Sequence, residues 1–114
     1  MKPPIILDNR GDIRVFPDLE KALGYTEAVD VEDGEYKAYD SEGRLLTLGT
    51  RPRRGFFGGR EVVIDSVEAQ PLHQQELRAT LIELMRRIGA SVDPNASLDT
   101  LVNALVALRT ERRK

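Results

Sequence analysis

No cysteine occurs in the 114 residues, an absence that excludes a disulfide framework, thiolate catalysis and cysteine-based zinc sites together. A reducing compartment suits such a chain. Histidine is nearly as scarce: His73 is the only one. A lone histidine is ordinarily a surface residue or one with its hydrogen bonds satisfied, because acid–base groups work with a positioned partner. Long apolar runs are missing as well. No stretch approaches the roughly 20 apolar residues of a spanning helix, and Met1–Leu7 has only Ile5, Ile6 and Leu7 in succession, beside one lysine and two prolines. The sequence therefore predicts no signal peptide, no membrane association and a cytoplasmic protein.

The motifs of common chemistry are absent too. There is no P-loop, no GxGxxG and no GxSxG. The acidic run Asp30-Val31-Glu32-Asp33-Gly34 lacks the ligand spacing of a calcium loop. No catalytic residue, metal or cofactor is expected.

What is present suffices for a folded domain. Apolar residues make up 40% and charged residues 32%, enough for one core under a solvated surface. A single domain over 1–114 is expected, with a β-rich half at 1–70 and a helical pair at 71–113. Ile5–Leu7 and Asp12–Phe16 read as a β-hairpin around Asn9-Arg10-Gly11. Pro17-Asp18 opens a short helix carrying Leu19, Ala22 and Leu23 on one face, with Gly24 placed to stop it. Val29 and Val31 alternate with acids up to Asp33-Gly34, which predicts a second hairpin with Glu35–Tyr39. A turn at 40–43 leads into Arg44–Leu48 and completes a three-stranded meander. Residues 49–60 hold four glycines and a proline and read as a loop. Glu61–Val67 returns to a strand pattern.

From Pro71 the period becomes helical. Leu77, Leu81, Leu84, Met85 and Ile88 line one face, and Gly89 ends the helix. Ser97 is a natural N-cap for a last helix with Leu98, Leu101, Leu105 and Leu108 on its inner face. The expected class is α+β: antiparallel hairpins or a meander with a short helix, one face packed against a C-terminal pair of antiparallel helices.

Two features invite a functional reading. Between Glu27 and Glu42 stand seven acids against Lys37 alone. Such a run serves as the solvated face of a hairpin, or as a surface complementary to a basic partner. Residues 51–60 hold four arginines, two phenylalanines and no acid. Arginine with aromatics can bind nucleic acid or anchor a protein interface, while the plainer reading is a flexible loop with a phenylalanine folded onto the core. A sequence pI near 5.5 argues against nucleic acid, whose binding domains usually exceed roughly pI 9.

The runs Ile5–Asp12, Val15–Ala22, Val29–Tyr36 and Ala38–Leu45 together resemble small bacterial immunity proteins encoded beside polymorphic toxins, including those of contact-dependent growth inhibition systems. The likeness covers about residues 5–48, less than half the chain, and consists of turn and strand signatures. It implies a cytoplasmic protein that binds a cognate toxin C-terminal domain one to one, often a basic nuclease, and blocks it. Candidate toxin contacts are Asp30, Glu32, Asp33, Glu35, Asp40 and Glu42, with Arg53, Arg54, Phe56 and Phe57 of the loop. Two rivals remain. One is a small regulatory nucleic-acid-binding domain using Arg51, Arg53, Arg54, Phe56, Phe57 and Arg60. The other is an enzyme built on carboxylates from separate turns, Asp8, Asp12 and Asp40.

Overall fold

Strands dominate the first 67 residues and helices the rest. The computed structural model describes residues 1–55 and 58–112. Its elements are β1 (Ile5–Asn9), β2 (Asp12–Phe16), α1 (Leu19–Tyr25), α2 (Ala28–Glu32), β3 (Tyr36–Tyr39), β4 (Leu45–Pro52), β5 (Arg60–Val67), α3 (Gln74–Arg87) and α4 (Leu98–Arg112). The five strands form one sheet in the order β2-β1-β3-β4-β5, and every neighbouring pair is antiparallel. The fold is α+β, as the periodicities predict.

Strand alternation builds a core on each face. Ile6, Ile13 and Tyr39 point to one side, where they meet Leu77, Leu81, Ile82 and Met85 of α3 with Leu101, Val102 and Leu105 of α4. Ile5, Leu7, Ala38 and Leu46 point to the other and meet Ala22 of α1. The helical pair thus covers one face, as expected, and α1 with α2 covers part of the opposite one. Fully burying each large apolar side chain contributes about 1.5–3 kcal/mol.

Helix ends follow local chemistry. The Asp18 side chain accepts from the Lys21 N–H at 2.8 Å, and the Ser97 hydroxyl accepts from the Thr100 N–H at 3.2 Å. Gly24 does not stop α1, which runs one residue further to Tyr25 and is closed by Thr26. Ile88 is the C-cap of α3 and does not continue its buried face, being 40% exposed.

The largest departure from the sequence reading is at 28–32. Val29–Glu32 is no strand; it belongs to the helix α2. Five alternating residues are too few to decide the period, and the deciding contacts lie at the far end. The Gly34 N–H donates to the Val31 carbonyl and the Glu35 N–H to the Asp30 carbonyl, both at 3.0 Å, with Gly34 at φ 72°. Asp33-Gly34 supplies a left-handed residue, as the sequence suggests, but uses it in a Schellman closure of a helix rather than in a hairpin turn. The meander is accordingly β3-β4-β5, with β3 also paired to β1.

The second departure shortens the loop. Gly49–Pro52 continue β4, and Arg60 already belongs to β5, so the connection is 53–59. Cross-strand pairs such as Arg51 with Glu61 at 2.6 Å hold the extension together.

Candidate functional site

The short α2 opens the acidic stretch, and no side chain in it is buried. It packs on β4 and β5, and Glu32 is its anchor. Glu32 Oε2 accepts from the Thr50 hydroxyl at 3.0 Å and pairs with Arg60 Nε at 3.0 Å. Arg60 also donates to the Thr50 hydroxyl. The acidic segment and the arginine-rich hairpin, distant in sequence, are thereby tied to each other.

Between them lies a groove of about 500 Å³, lined by Thr26, Glu27, Val29, Arg53, Arg60 and Glu61 among others. Val29 stands on its rim, 60% exposed. An exposed aliphatic side chain with polar groups around it can serve as the apolar centre of a contact whose rim is polar.

The remaining candidate acids have diverse roles. Asp30 is half-buried, and with burial as the larger cause it helps raise the pKa of the Tyr36 phenol. Asp33 is exposed at the C-cap of α2. Glu35 pairs with Arg10 at 3.6 Å, and Glu42 with Arg44 at 2.5 Å. Asp40 is fully buried and does not reach the surface as a contact would require. Its carboxylate accepts the N–H groups of Lys2, Glu42 and Arg44 at 2.9–3.0 Å and the Arg44 guanidinium at 3.3 Å. Burial opposes its charge, but these donors outweigh it and lower its pKa. Much of the charge of the acidic stretch is compensated locally, since Glu32, Glu35, Asp40 and Glu42 each have an arginine partner.

In the hairpin, Arg53 lines the groove and Arg54 is exposed. Phe56 and Phe57 lie outside the described residues. Two of the four arginines proposed for nucleic acid, Arg51 and Arg60, are paired with glutamates. The three aspartates of the enzyme alternative each have a local role. Asp8 accepts the Gly11 N–H at 2.8 Å, Asp12 pairs with Arg14, and Asp40 holds its turn.

A second polar cluster escaped the sequence reading. His73 precedes α3, and its Nδ1 lies 2.8 Å from Glu68 Oε1, an oxygen that also accepts the Leu45 N–H at 2.8 Å. That backbone donor is the main cause of the lowered Glu68 pKa. Glu76, in the first turn of α3, holds Lys37 at 2.6 Å; the bond raises the pKa of the lysine and lowers that of the glutamate. Beside it the Tyr39 hydroxyl is buried and lacks a well-formed hydrogen bond among the described residues. Burial first, and the Glu76 carboxylate second, push its pKa up. His73 and Glu68 are close in sequence, but the meeting of Glu76 with Lys37 on β3 comes only with the folded arrangement of α3 on the sheet.

Among the described residues no group of three or more His, Asp or Glu side chains is placed to hold a metal ion, and no helix is long and apolar enough to cross a membrane. No family model, curated protein or solved structure matches the chain, so its chemistry has to be read from its own residues.

Proposed function

We propose that this chain is an immunity protein: it binds a cognate toxin domain one to one in the cytoplasm and neutralises it. The observation that carries the reading is the groove beside α2, where exposed Val29 stands between Glu27 and the arginines of the β4–β5 hairpin. An aliphatic centre flanked by charge is suited to a protein surface, and the likeness of residues 5–48 to immunity proteins supplies the class of partner. A basic nuclease domain fits the carboxylates Glu27 and Asp33, which form no ion pair among the described residues and add electrostatic steering.

The test is co-expression with the C-terminal domain of a large secreted protein encoded beside this chain's gene. Wild-type protein is expected to restore growth and to co-elute with the domain. Val29→Glu combined with Arg53→Glu, checked for an unchanged melting temperature, is expected to lose both effects. A neighbourhood without such a toxin, or a domain that stays toxic and elutes alone, would overturn the proposal.

A further inference from the structure

The two rims of the sheet differ. At the β2 rim the hairpin closes through the two-residue turn Arg10-Gly11, both at positive φ, so Asn9 with Asp12 is a bonded pair. Bonded pairs alternate, and Ile13 therefore turns its N–H and C=O outward. Its carbonyl is not left open: the Arg109 guanidinium donates to it, and that of Arg87 donates to the Gly11 carbonyl at 2.9 Å. Arginines from both long helices seal this rim.

The β5 rim has no such cover. The Arg53 N–H donates to the Gly59 carbonyl at 2.8 Å, which fixes the phase of the ladder: Arg51 with Glu61 and Gly49 with Val63 are the next bonded pairs. Arg60, Val62 and Ile64 alternate with them and turn their backbone groups away from β4. None of these groups has a hydrogen-bond partner among the described residues. The open run ends at Ile64, because Asp65 is a bulge without a partner on β4. This rim borders the groove beside α2: Arg60 and Val62 line one wall, Leu23, Thr26 and Val29 the other.

Charge on the hairpin side of the groove is unbalanced. Arg60 pairs with Glu32 and Glu61 with Arg51. Arg53, which lines the groove, and exposed Arg54 form no ion pair among the described residues, and residues 51–60 contain no acid to supply one.

Resting on the reading of this chain as a protein that binds a partner through the groove, the geometry points to a strand of that partner added antiparallel to β5 from Arg60 to Ile64. Its main chain takes up the outward N–H and C=O groups of Arg60, Val62 and Ile64. Side chains of a strand alternate between faces, and residues opposite each other share a face, so every second side chain of the added strand enters the groove. Opposite Val62 stands an aliphatic residue, which also covers exposed Val29. Opposite Arg60 stands an acidic one, which meets Arg53 and Arg54. Added strands draw affinity from main-chain bonds and specificity from such alternate side chains. Steering by Glu27 and Asp33 acts on the whole approaching domain, whereas this acid makes a single local contact.

A peptide probe tests this on the full chain. The probe is the capped peptide Thr-Val-Thr-Val-Thr-Glu-Thr, whose glutamate lies opposite Arg60 and whose valines lie opposite Val62 and Ile64 in antiparallel pairing. Titrated into isotope-labelled protein, it is expected to shift the amides of Arg60, Val62 and Ile64 saturably and to slow exchange at Val62 and Ile64, while Val63, already bonded to Gly49, exchanges as before. The same peptide N-methylated at its valines and glutamate, which lacks the donors, is expected not to bind, and lysine in place of glutamate is expected to weaken binding. Val62→Pro removes an outward N–H and no ladder bond, a change that a rim strand tolerates; it should abolish the shifts with the melting temperature held. Arg53→Ala with Arg54→Ala should remove only the preference for glutamate. Equal binding of the methylated peptide, shifts at the β2 rim instead, self-association of the chain through β5, or no saturable shift would each overturn the assignment. A Val62→Pro chain that still neutralises the co-expressed toxin domain would remove the added strand and leave the groove itself, which stands or falls on Val29→Glu with Arg53→Glu.

Discussion

Gly43 and Gln74 are in backbone contact: a Cβ built on Gly43 would stand 2.7 Å from the Gln74 Cα. The turn after β3 is thus pressed against the first residue of α3, and the His73 N–H donates to the Gly43 carbonyl at 3.0 Å. Gly43 also has φ 89°, where a side chain is strained. Gly43→Ala is expected to destabilise the protein by about 1–3 kcal/mol from backbone strain alone, with the clash adding to it. Urea denaturation measures the loss, and an unchanged midpoint would mean that α3 shifts freely away.

Asp40 is a second support of the same turn. Asp40→Ala would leave three N–H groups without their acceptor and take from the Arg44 guanidinium one of its two carboxylates, at a cost of about 3–5 kcal/mol. Asp40→Asn keeps one acceptor oxygen and should lose less. Thermal melts that rank the two variants in the opposite order would contradict this account.

Acid should weaken the fold. The carboxyls of Asp40, Glu68 and Glu76 all have lowered pKa values, so each releases its proton more readily in the folded chain than in the unfolded one. Their stabilisation is complete above the ordinary carboxyl values, 3.8 for Asp and 4.5 for Glu, and is lost as pH falls through the lower folded values. Denaturant midpoints are expected to hold steady from neutrality to about pH 5 and to drop below about pH 4. A midpoint that rises on acidification would reverse the sign.

The helical pair carries much of one core. Leu81 is 0% and Leu105 1% exposed, and truncating either to alanine is expected to cost about 2–5 kcal/mol. Partly buried Leu108, which shares a small surface pocket with Leu105, collapses poorly into such a hole, so the cost should lie in the upper part of that range for Leu105. Melting curves check the order.

The elements with long, regular patterns were legible in the sequence. Leu77, Leu81, Leu84 and Met85 announce the buried face of α3, and Ile13 with Val15 announces β2. Helix α2 was not legible, because Val29 and Val31 satisfy a strand and a helix equally over so short a stretch, and packing on β4 decides between them. Asp40 was read as a surface acid, since its three backbone donors come from Lys2, Glu42 and Arg44 and only the folded turn gathers them. The meeting of Glu32 with Arg60, and of Lys37 with Glu76, depends likewise on how the helices pack on the folded sheet. The acidic segment and the arginine hairpin were each visible as candidates; their sharing of one groove was not.

The bond between Glu32 and Arg60 also bears on the order in which the groove beside α2 can form. Glu32 closes α2 and Arg60 opens β5, the last strand of the sheet. Neither wall has its partner until β5 has paired with β4. The groove is thus a product of the finished sheet, and fraying of β5 would dismantle it while the β1–β2 hairpin stays paired.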